Sequence, residues 1–496
     1  MNVNVQNNSD NSRYPFDRVQ TWIWWDYPNS HTLNWKQVDD SMRLENFSYL
    51  KQPWQEGNRP VQFYLHVPYC QSFCYYCGYT RENFPKQTKS AFDEYVDGLI
   101  SELRWYLSQP YVQTAPLTAI TIGGGSPSTL PPESLDRLFK FIADNVPNYE
   151  NLEKTFTGEP RTLKRLETLQ LLIDYKWNRV TFGVESLNEK LRSQVGRMAT
   201  EADVDDVHDG LAKVGYQGDV NFDLMYNLPG ENFTVFEEEL DKVITKYGPT
   251  SLDGYPLVYT PYEALWKLIE KGRKSQPATA RDLVRMLEHF YDYLTDKGYY
   301  NTLSLTYAKY SHPTQFYRGV YDEQDVIPVG ISARGNFAGM SAKNPTDLGV
   351  WQDRVASNGV STSNMQKLPP DLTFTRKMVM FPQMKSVPKA ELQKFSDVPT
   401  YAQQMERLQS HIDRGLVEET DETYELTRLG VVWFKNLQAD YVADTLTDEG
   451  KDIMLVTSYA ERHFDVETRI PHPEKAFDYS THPERETESD KLKVYL

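Results

Sequence analysis

Val61-Gln62-Phe63-Tyr64-Leu65-His66-Val67-Pro68-Tyr69-Cys70-Gln71-Ser72-Phe73-Cys74-Tyr75-Tyr76-Cys77 is the stretch on which the reading of this chain turns. Its first half, Val61–Pro68, is an apolar, aromatic and β-branched run with the composition of a buried strand. Its second half places three cysteines, spaced C-x3-C-x2-C, on the loop that leaves this strand. Similar short runs follow at Leu117–Gly123, Lys154–Thr157, Arg179–Gly183, Asp219–Tyr226 and Ser251–Val258. Between them Ala91–Ser108, Pro132–Asn145, Leu163–Tyr175, Glu201–Val214 and Phe233–Tyr247 carry helical periodicity. Strands separated by helices of this length read as repeated βαβ units and a parallel sheet. Six units in about 200 residues suit an α/β fold built as a partial (β/α)6 TIM-like barrel better than a complete eight-fold one. Ligands of such sheets bind at the carboxyl ends of the strands. The cysteine loop lies at one such end.

The barrel is expected over residues 61–345. Residues 1–60 form an N-terminal arm with an aromatic run, Trp22-Ile23-Trp24-Trp25-Asp26-Tyr27, which reads as a cover for the core or as a lid over a flat substrate. After residue 345 the alternation fades. A helix at Tyr401–Gly415, a hairpin across Thr420–Glu422 and a helix at Arg428–Leu446 predict a winged-helix-like α+β domain over 346–470. A charged tail, 471–496, follows.

The 496 residues carry 53 basic and 70 acidic side chains, a net charge of −17, which argues against a protein whose main task is gripping nucleic-acid phosphates. No apolar run approaches the ~18 residues of a membrane span. The first residues have neither the basic start nor the apolar stretch of a secretory signal. The three cysteines fall within eight residues and cannot form a disulfide framework, so a reducing cytoplasm is the expected location.

Thiolates select zinc, copper(I) or iron–sulfur clusters. Structural zinc takes four ligands, usually from two paired knuckles, and here there are three cysteines with no second pair. His66 is the one nearby fourth ligand in principle, but mid-strand it reads better as a buried, hydrogen-bonded residue. Three thiolates on a short loop can instead hold three irons of a [4Fe-4S] cluster, leaving the fourth open for a chelating ligand.

C-x3-C-x2-C with an aromatic before the third cysteine resembles the signature of radical S-adenosylmethionine (SAM) enzymes. Tyr64-x-His66-x-Pro68-Tyr69-Cys70, Gly123-Gly-Gly-Ser-Pro-Ser128, Gly158-Glu159-Pro160, Gly183-Val-Glu185-Ser186, Gly196-Arg197 and Asp223-Leu-Met-Tyr-Asn-Leu-Pro-Gly230 occur in the order of the oxygen-independent coproporphyrinogen III dehydrogenase family. That family also holds heme chaperones and a branch of SAM-dependent C-methyltransferases and cyclopropane-forming enzymes.

The resemblance implies that Cys70, Cys74 and Cys77 bind a [4Fe-4S] cluster. It implies that Gly123, Gly124 and Gly125 receive the amino group of SAM, and that Arg197 binds its carboxylate through a planar fork. Glu159 and Glu185 would accept the ribose hydroxyls, although the family commonly has Gln at the position of Glu185. Asp223 resembles a further SAM-site residue, Tyr64 approaches SAM, and the backbone near Tyr76 meets the adenine. Val329-Gly330-Ile331-Ser332-Ala333 resembles the segment near a second SAM, which singles out Gly330 and Ala333. The partners implied are a small-molecule substrate and a reducing donor such as a flavodoxin or ferredoxin.

Two departures bear on the reaction. Cys77-Gly78 is followed by Tyr79 where the coproporphyrinogen enzyme has another cysteine, and His312-Pro-Thr-Gln-Phe-Tyr317 replaces a heme-chaperone stretch. They favour the branch that uses two SAM molecules, one as radical source and one as one-carbon donor to an sp2 carbon. Tetrapyrrole chemistry (coproporphyrinogen decarboxylation or radical heme opening) is the alternative, and a heme or metal carrier the third.

Overall fold

A computed structural model describes residues 47–78, 88–259, 263–321, 324–337, 339–362 and 364–445, with short pieces at 16, 18–20, 41, 82–83 and 458–460. Seven parallel strands make its centre: β1 (Val61–Val67), β2 (Leu117–Gly124), β3 (Glu153–Gly158), β4 (Arg179–Glu185), β5 (Asp219–Tyr226), β6 (Ser251–Pro256) and, later in the chain, β9 (Asp325–Val329). Antiparallel strands extend both flanks: β7 (Tyr300–Leu303) and β8 (Thr306–Ala308) beyond β6, and β10 (Arg334–Phe337), β11 (Met340–Lys343) and β12 (Asn364–Lys367) beyond β9. The order is β7-β8-β6-β5-β4-β3-β2-β1-β9-β10-β11-β12.

The six expected strands are all present, and the fold is the partial α/β barrel the alternation predicts. The seventh parallel strand was not expected. It joins the free side of β1, pairing Asp325 with Val61 and Val329 with Leu65. The sheet also runs past residue 345, because β12 pairs along β11.

The crossover helices include α1 (Lys89–Leu107), α2 (Pro132–Asn145), α3 (Leu166–Asp174), α4 (Glu201–Val214) and α5 (Phe233–Lys246). Their starts are set by local chemistry. Thr88 caps α1, Asn232 caps α5, and Thr200 with Asp203 forms a capping box on α4. Each helix buries one stripe against the sheet; in α1 it is Phe92, Tyr95, Val96, Leu99, Glu102, Leu103 and Tyr106. The carboxylate in that stripe, Glu102, is fully buried. It accepts from Gly330 N (2.7 Å), Ser361 N (2.9 Å), Ser361 Oγ (2.6 Å) and Trp351 Nε1 (3.1 Å), tying α1 to the end of β9 and to α6 (Leu348–Asn358).

The C-terminal part holds α7 (Pro370–Met384), α8 (Tyr401–Asp413) and a three-stranded sheet of β13 (Ser386–Pro388), β14 (Val417–Glu419) and β15 (Thr423–Leu426). The hairpin turns at 420–422 as expected. The long helix expected from Arg428 breaks at Trp433 into Arg428–Val432 and α9 (Phe434–Val442). In the arm, Phe16 packs on Trp433 and His411, with Arg414 over its ring, and Phe47 packs on Trp105 and Tyr106 of α1. The aromatic run 22–27 lies outside the described residues, as does the tail 471–496. No helix of the described residues is long and apolar enough to cross a membrane.

Candidate active site

The cysteine loop hangs from the carboxyl end of β1. Tyr75 fixes it on two sides: its N–H donates to Val195 O (2.9 Å), and its carbonyl accepts from Leu265 N (2.9 Å). None of the three cysteines forms a disulfide; Cys74 is buried, while Cys70 and Cys77 are partly exposed. Cys70 Sγ lies 3.8 Å from Ser126 Oγ, and Cys74 Sγ lies 4.0 Å from Arg197 Nη1. The sulfurs thus meet a hydroxyl and a guanidinium.

Arg197 ties the loop to β4. Its Nη2 donates to Gly183 O and lies 3.8 Å from Glu185 Oε1 in a pair whose side chains are only 11% and 12% exposed. Burial opposes the charge of Arg197, yet Glu185, Cys74, Tyr76 and Glu159 together hold the guanidinium well above its ordinary value. Burial pushes the Glu185 carboxyl up, while Arg197 and a hydrogen bond from Tyr76 pull it down. Glu185 follows an irregularity in the β4–β5 ladder and sits at φ +59°, a region that non-glycine residues rarely adopt. Such outliers concentrate at functional sites. Tyr76 has its phenol raised well above normal by burial, then by Glu185 and Cys74.

The glycine triplet is set first by the protein's own packing. Gly124 lies at φ +111°, and a Cβ there would meet the His66 ring at 2.6 Å; at Gly125 it would meet the Pro68 and Tyr69 backbone at 2.9 Å. Gly125 N donates to Val67 O and Ser126 N to Tyr69 O. At Gly123 a Cβ would meet Tyr64 at 3.3 Å and Thr157 Oγ1 at 3.5 Å. His66 is buried, with Nδ1 3.2 Å from Tyr64 Oη, as a strand residue rather than a fourth cysteine-loop ligand would be. Glu159, at the end of β3, is buried, its carboxyl pushed up by burial against Arg197 and Arg161.

Asp223 heads a polar network that the sequence reading did not include. Asn221 Nδ2 donates to Asp223 Oδ1 (2.9 Å), Asp253 Oδ2 (3.0 Å) and Thr181 Oγ1 (3.0 Å). Tyr317 donates to Asp253 Oδ2 (3.2 Å), and its oxygen lies 3.1 Å from that of Tyr255. Burial and then Asp253 push the Asp223 carboxyl well above the usual range; Asp253 is also raised by burial, but Arg179, Thr306 and Tyr317 favour its ionised form. The short helix Gln315–Val320 brings Tyr317 into the barrel and sets Phe316 6.0 Å from Tyr64, ring to ring. The inward polar positions were readable as period-2 alternation, Asn221/Asp223 and Ser251/Asp253/Tyr255. The reach of Tyr317 was not.

Gly330 and Ala333 are held by protein contacts of their own. Gly330 N is held by Glu102, and a Cβ there would meet His66 O at 2.6 Å and Tyr95 Oη at 2.9 Å. Ala333 is buried, and its carbonyl accepts from Asn344 N. A cavity of about 480 Å³, lined by Glu153, Arg179, Asp219, Tyr310 and His312, opens at the amino ends of the strands, opposite the cysteine loop.

The model of the radical SAM superfamily matches residues 64–243. The chain is 28% identical over 287 residues to the heme chaperone HemW of Lactococcus lactis subsp. lactis, covering 58% of this chain and 72% of that protein. It is 27% identical over 315 residues to the anaerobilin synthase of Escherichia coli O157:H7 (62% and 69%). It is 29% identical over 279 residues to the oxygen-independent coproporphyrinogen III oxidase of Synechocystis (55% and 56%). The solved structure of coproporphyrinogen III oxidase (HemN) from Escherichia coli, a radical SAM enzyme, superposes with a TM-score of 0.70 at 20% identity, over 85% of this chain and 97% of that one. The chain is a radical SAM superfamily enzyme. Its fold is that of HemN, and in sequence it is similar to HemW and to coproporphyrinogen III oxidase.

Enzymes of this superfamily work with a [4Fe-4S] cluster and SAM, which are the cofactors of this chain. The residues present fit both. Among the described residues no three His, Cys, Asp or Glu side chains converge on a single metal ion, whereas the thiolates of a cluster bind separate irons and need not. Glu159 Oε1 and Arg197 Nε are buried without a protein partner, an acceptor and a donor beside the cysteine loop. SAM offers hydroxyl and ammonium donors to the one and a carboxylate to the other.

Proposed function

We propose that this enzyme carries out radical chemistry on a tetrapyrrole macrocycle. The observation that carries the radical part is the contact of Arg197 with both Cys74 and the β4 end, which joins the cysteine loop to the carboxylates at the strand ends. The tetrapyrrole part is supported by the relatives, whose names are heme chaperone, anaerobilin synthase and coproporphyrinogen oxidase. That favours the second of the readings the sequence leaves open over one-carbon transfer.

When bound, the cluster and SAM supply a 5′-deoxyadenosyl radical. The chain's own residues do the rest. Cys70, Cys74 and Cys77 hold the cluster from one loop. Arg197 would take the SAM carboxylate, and the Gly123-Gly124-Gly125 segment its ammonium. Glu159 and Glu185 would accept from the ribose hydroxyls, with Asp223 a further residue of the SAM site, and the main chain near Tyr76 would meet the adenine. Tyr64, Phe316, Tyr255 and Tyr317 give the barrel an aromatic floor suited to a flat conjugated substrate. Gly330 and Ala333 are taken up by contacts with α1 and Asn344, so this reading uses one SAM site.

The test is an anaerobic assay of the reconstituted enzyme with dithionite and methyl-deuterated SAM, with heme and coproporphyrinogen III supplied separately. Unlabelled 5′-deoxyadenosine with consumption of either macrocycle supports the reading. Deuterium in the 5′-deoxyadenosine, with release of S-adenosylhomocysteine, would replace it with one-carbon transfer. A fully loaded protein that leaves SAM intact would leave a carrier.

A further inference from the structure

The helix Ala264–Glu270 packs Leu265, Trp266 and Ile269 with Tyr75 and Tyr76 of the cysteine loop. It ends in a tight motif: Gly272 takes φ +66°, Gly272 N donates to Ile269 O (2.9 Å), and Arg273 N donates to Leu268 O (2.8 Å). This turn sets Lys271, Arg273 and Lys274 on the surface in four successive positions. Lys271 and Arg273 are exposed and have no ion pair among the described residues. The nearest acids on that helix, Glu263 and Glu270, have interactions of their own.

The loop is anchored to the cofactor end of the barrel. Lys274 Nζ donates to Ser193 O (2.7 Å) and lies 5.3 Å over the ring of Tyr75, the neighbour of Cys74. Ser275 N donates to Gln194 Oε1 (3.0 Å). The Tyr75 ring also packs on Gly196, two residues from Met198, which is 57% exposed. Two exposed cations, the anchored Lys274 and an exposed methionine therefore lie beside the loop that carries the cluster ligands. They do so on a chain whose net charge is −17.

We propose that Lys271, Arg273, Lys274 and Met198 form the docking surface for an acidic, low-potential one-electron donor protein, which delivers its electron beside Cys74. This rests on the radical SAM assignment and goes beyond it by naming where the reductant binds. Exposed cations beside the cysteine loop suit the brief, low-area encounters of redox partners, in which charge sets the association rate.

The test titrates an acidic flavodoxin, in its oxidised form, into the reconstituted full-length enzyme, following FMN fluorescence anisotropy at low and high salt. Binding is expected, weaker at high salt, and weaker by about tenfold in K271E/R273E, with the neutral K271Q/R273Q in between. SAM cleavage driven by reduced flavodoxin is expected to fall in parallel, while cleavage driven by dithionite stays within about twofold of wild type. Equal binding and equal flavodoxin-driven cleavage in K271E/R273E would overturn the proposal. So would a wild-type enzyme that binds neither the flavodoxin nor an acidic ferredoxin. Absence of dithionite-driven cleavage in loaded wild type is a separate failure, that of the catalytic reading, because docking is measured without SAM.

Discussion

Asp223 stands directly opposite Asp253 across the β5–β6 ladder, and a single side-chain amide, Asn221 Nδ2, donates to both at 2.9 and 3.0 Å. Two buried carboxyls in this arrangement do not both ionise near neutrality. Asp253 has Arg179, Thr306 and Tyr317 to stabilise its charge, so Asp223 keeps the proton.

A raised folded pKa contributes stability that is fully present below the unfolded value, near pH 4, and lost as pH rises toward the folded value. Asp223→Asn removes that dependence. Its stability advantage over wild type should widen by about 1.4 kcal/mol per pH unit at most across this window. Urea denaturation at pH 5 and pH 7 checks it; parallel curves would contradict the assignment of the proton.

Arg197 acts as a fork between Cys74, Gly183 and Glu185. Arg197→Lys keeps the charge and loses the fork, and should weaken SAM binding by about 1.5–3 kcal/mol while the cluster absorbance stays intact. Gly183→Ala should mimic it, because its Cβ would meet Glu185 Oε1 at 2.3 Å and Arg197 Nη2 at 2.9 Å. Calorimetric SAM titration at unchanged iron content reads both. Undiminished affinity in Arg197→Lys would remove the residue from the site.

Lys435 is buried in α9, its Nζ over the Phe434 ring but without a hydrogen-bond partner, and burial pushes its ammonium well below the usual range. A depressed folded pKa contributes stability that is present above about pH 10.5 and lost as pH falls. Lys435→Met should therefore stabilise the protein at pH 7 by about 1–3 kcal/mol, with a gain that shrinks toward pH 10. Thermal melts at the two pH values measure it.

Glu102 accepts four hydrogen bonds at full burial. Glu102→Ala leaves four donors unmatched and should cost about 3–5 kcal/mol. Glu102→Gln turns an NH2 toward two of them and should cost less, but more than 1 kcal/mol. Near-neutral stability in both would mean that the network adds nothing to the α1–β9 junction.

The βα alternation was legible because each strand is a short apolar run and each helix an amphipathic one. The cysteine loop was legible because the spacing is local. Glu102 was visible in principle, since it interrupts the i, i+3, i+4 apolar stripe of α1. The pairing of β9 with β1 left no local trace: a strand's partner is chosen by distant parts of the chain. Gly330 shows the same limit, because its glycine answers to His66 O and Tyr95, which no neighbouring residue announces. Glu159, Glu185, Arg197 and Asp223 could be read as a set only through motif order; the distances among them belong to the fold.

The lateral place of β9 has a consequence for biosynthesis. β1 emerges early and carries the cysteines, yet one of its edges has no partner until residues 325–329 leave the ribosome. Through most of translation that strand presents a row of unsatisfied amides and carbonyls, the kind of edge that recruits stray strands. Long-range parallel closure is also slow. Metal-free cysteines beside an open edge would make the nascent chain vulnerable to oxidation and aggregation together, so overproduced protein should gain soluble yield from slower translation and anaerobic growth more than from either alone.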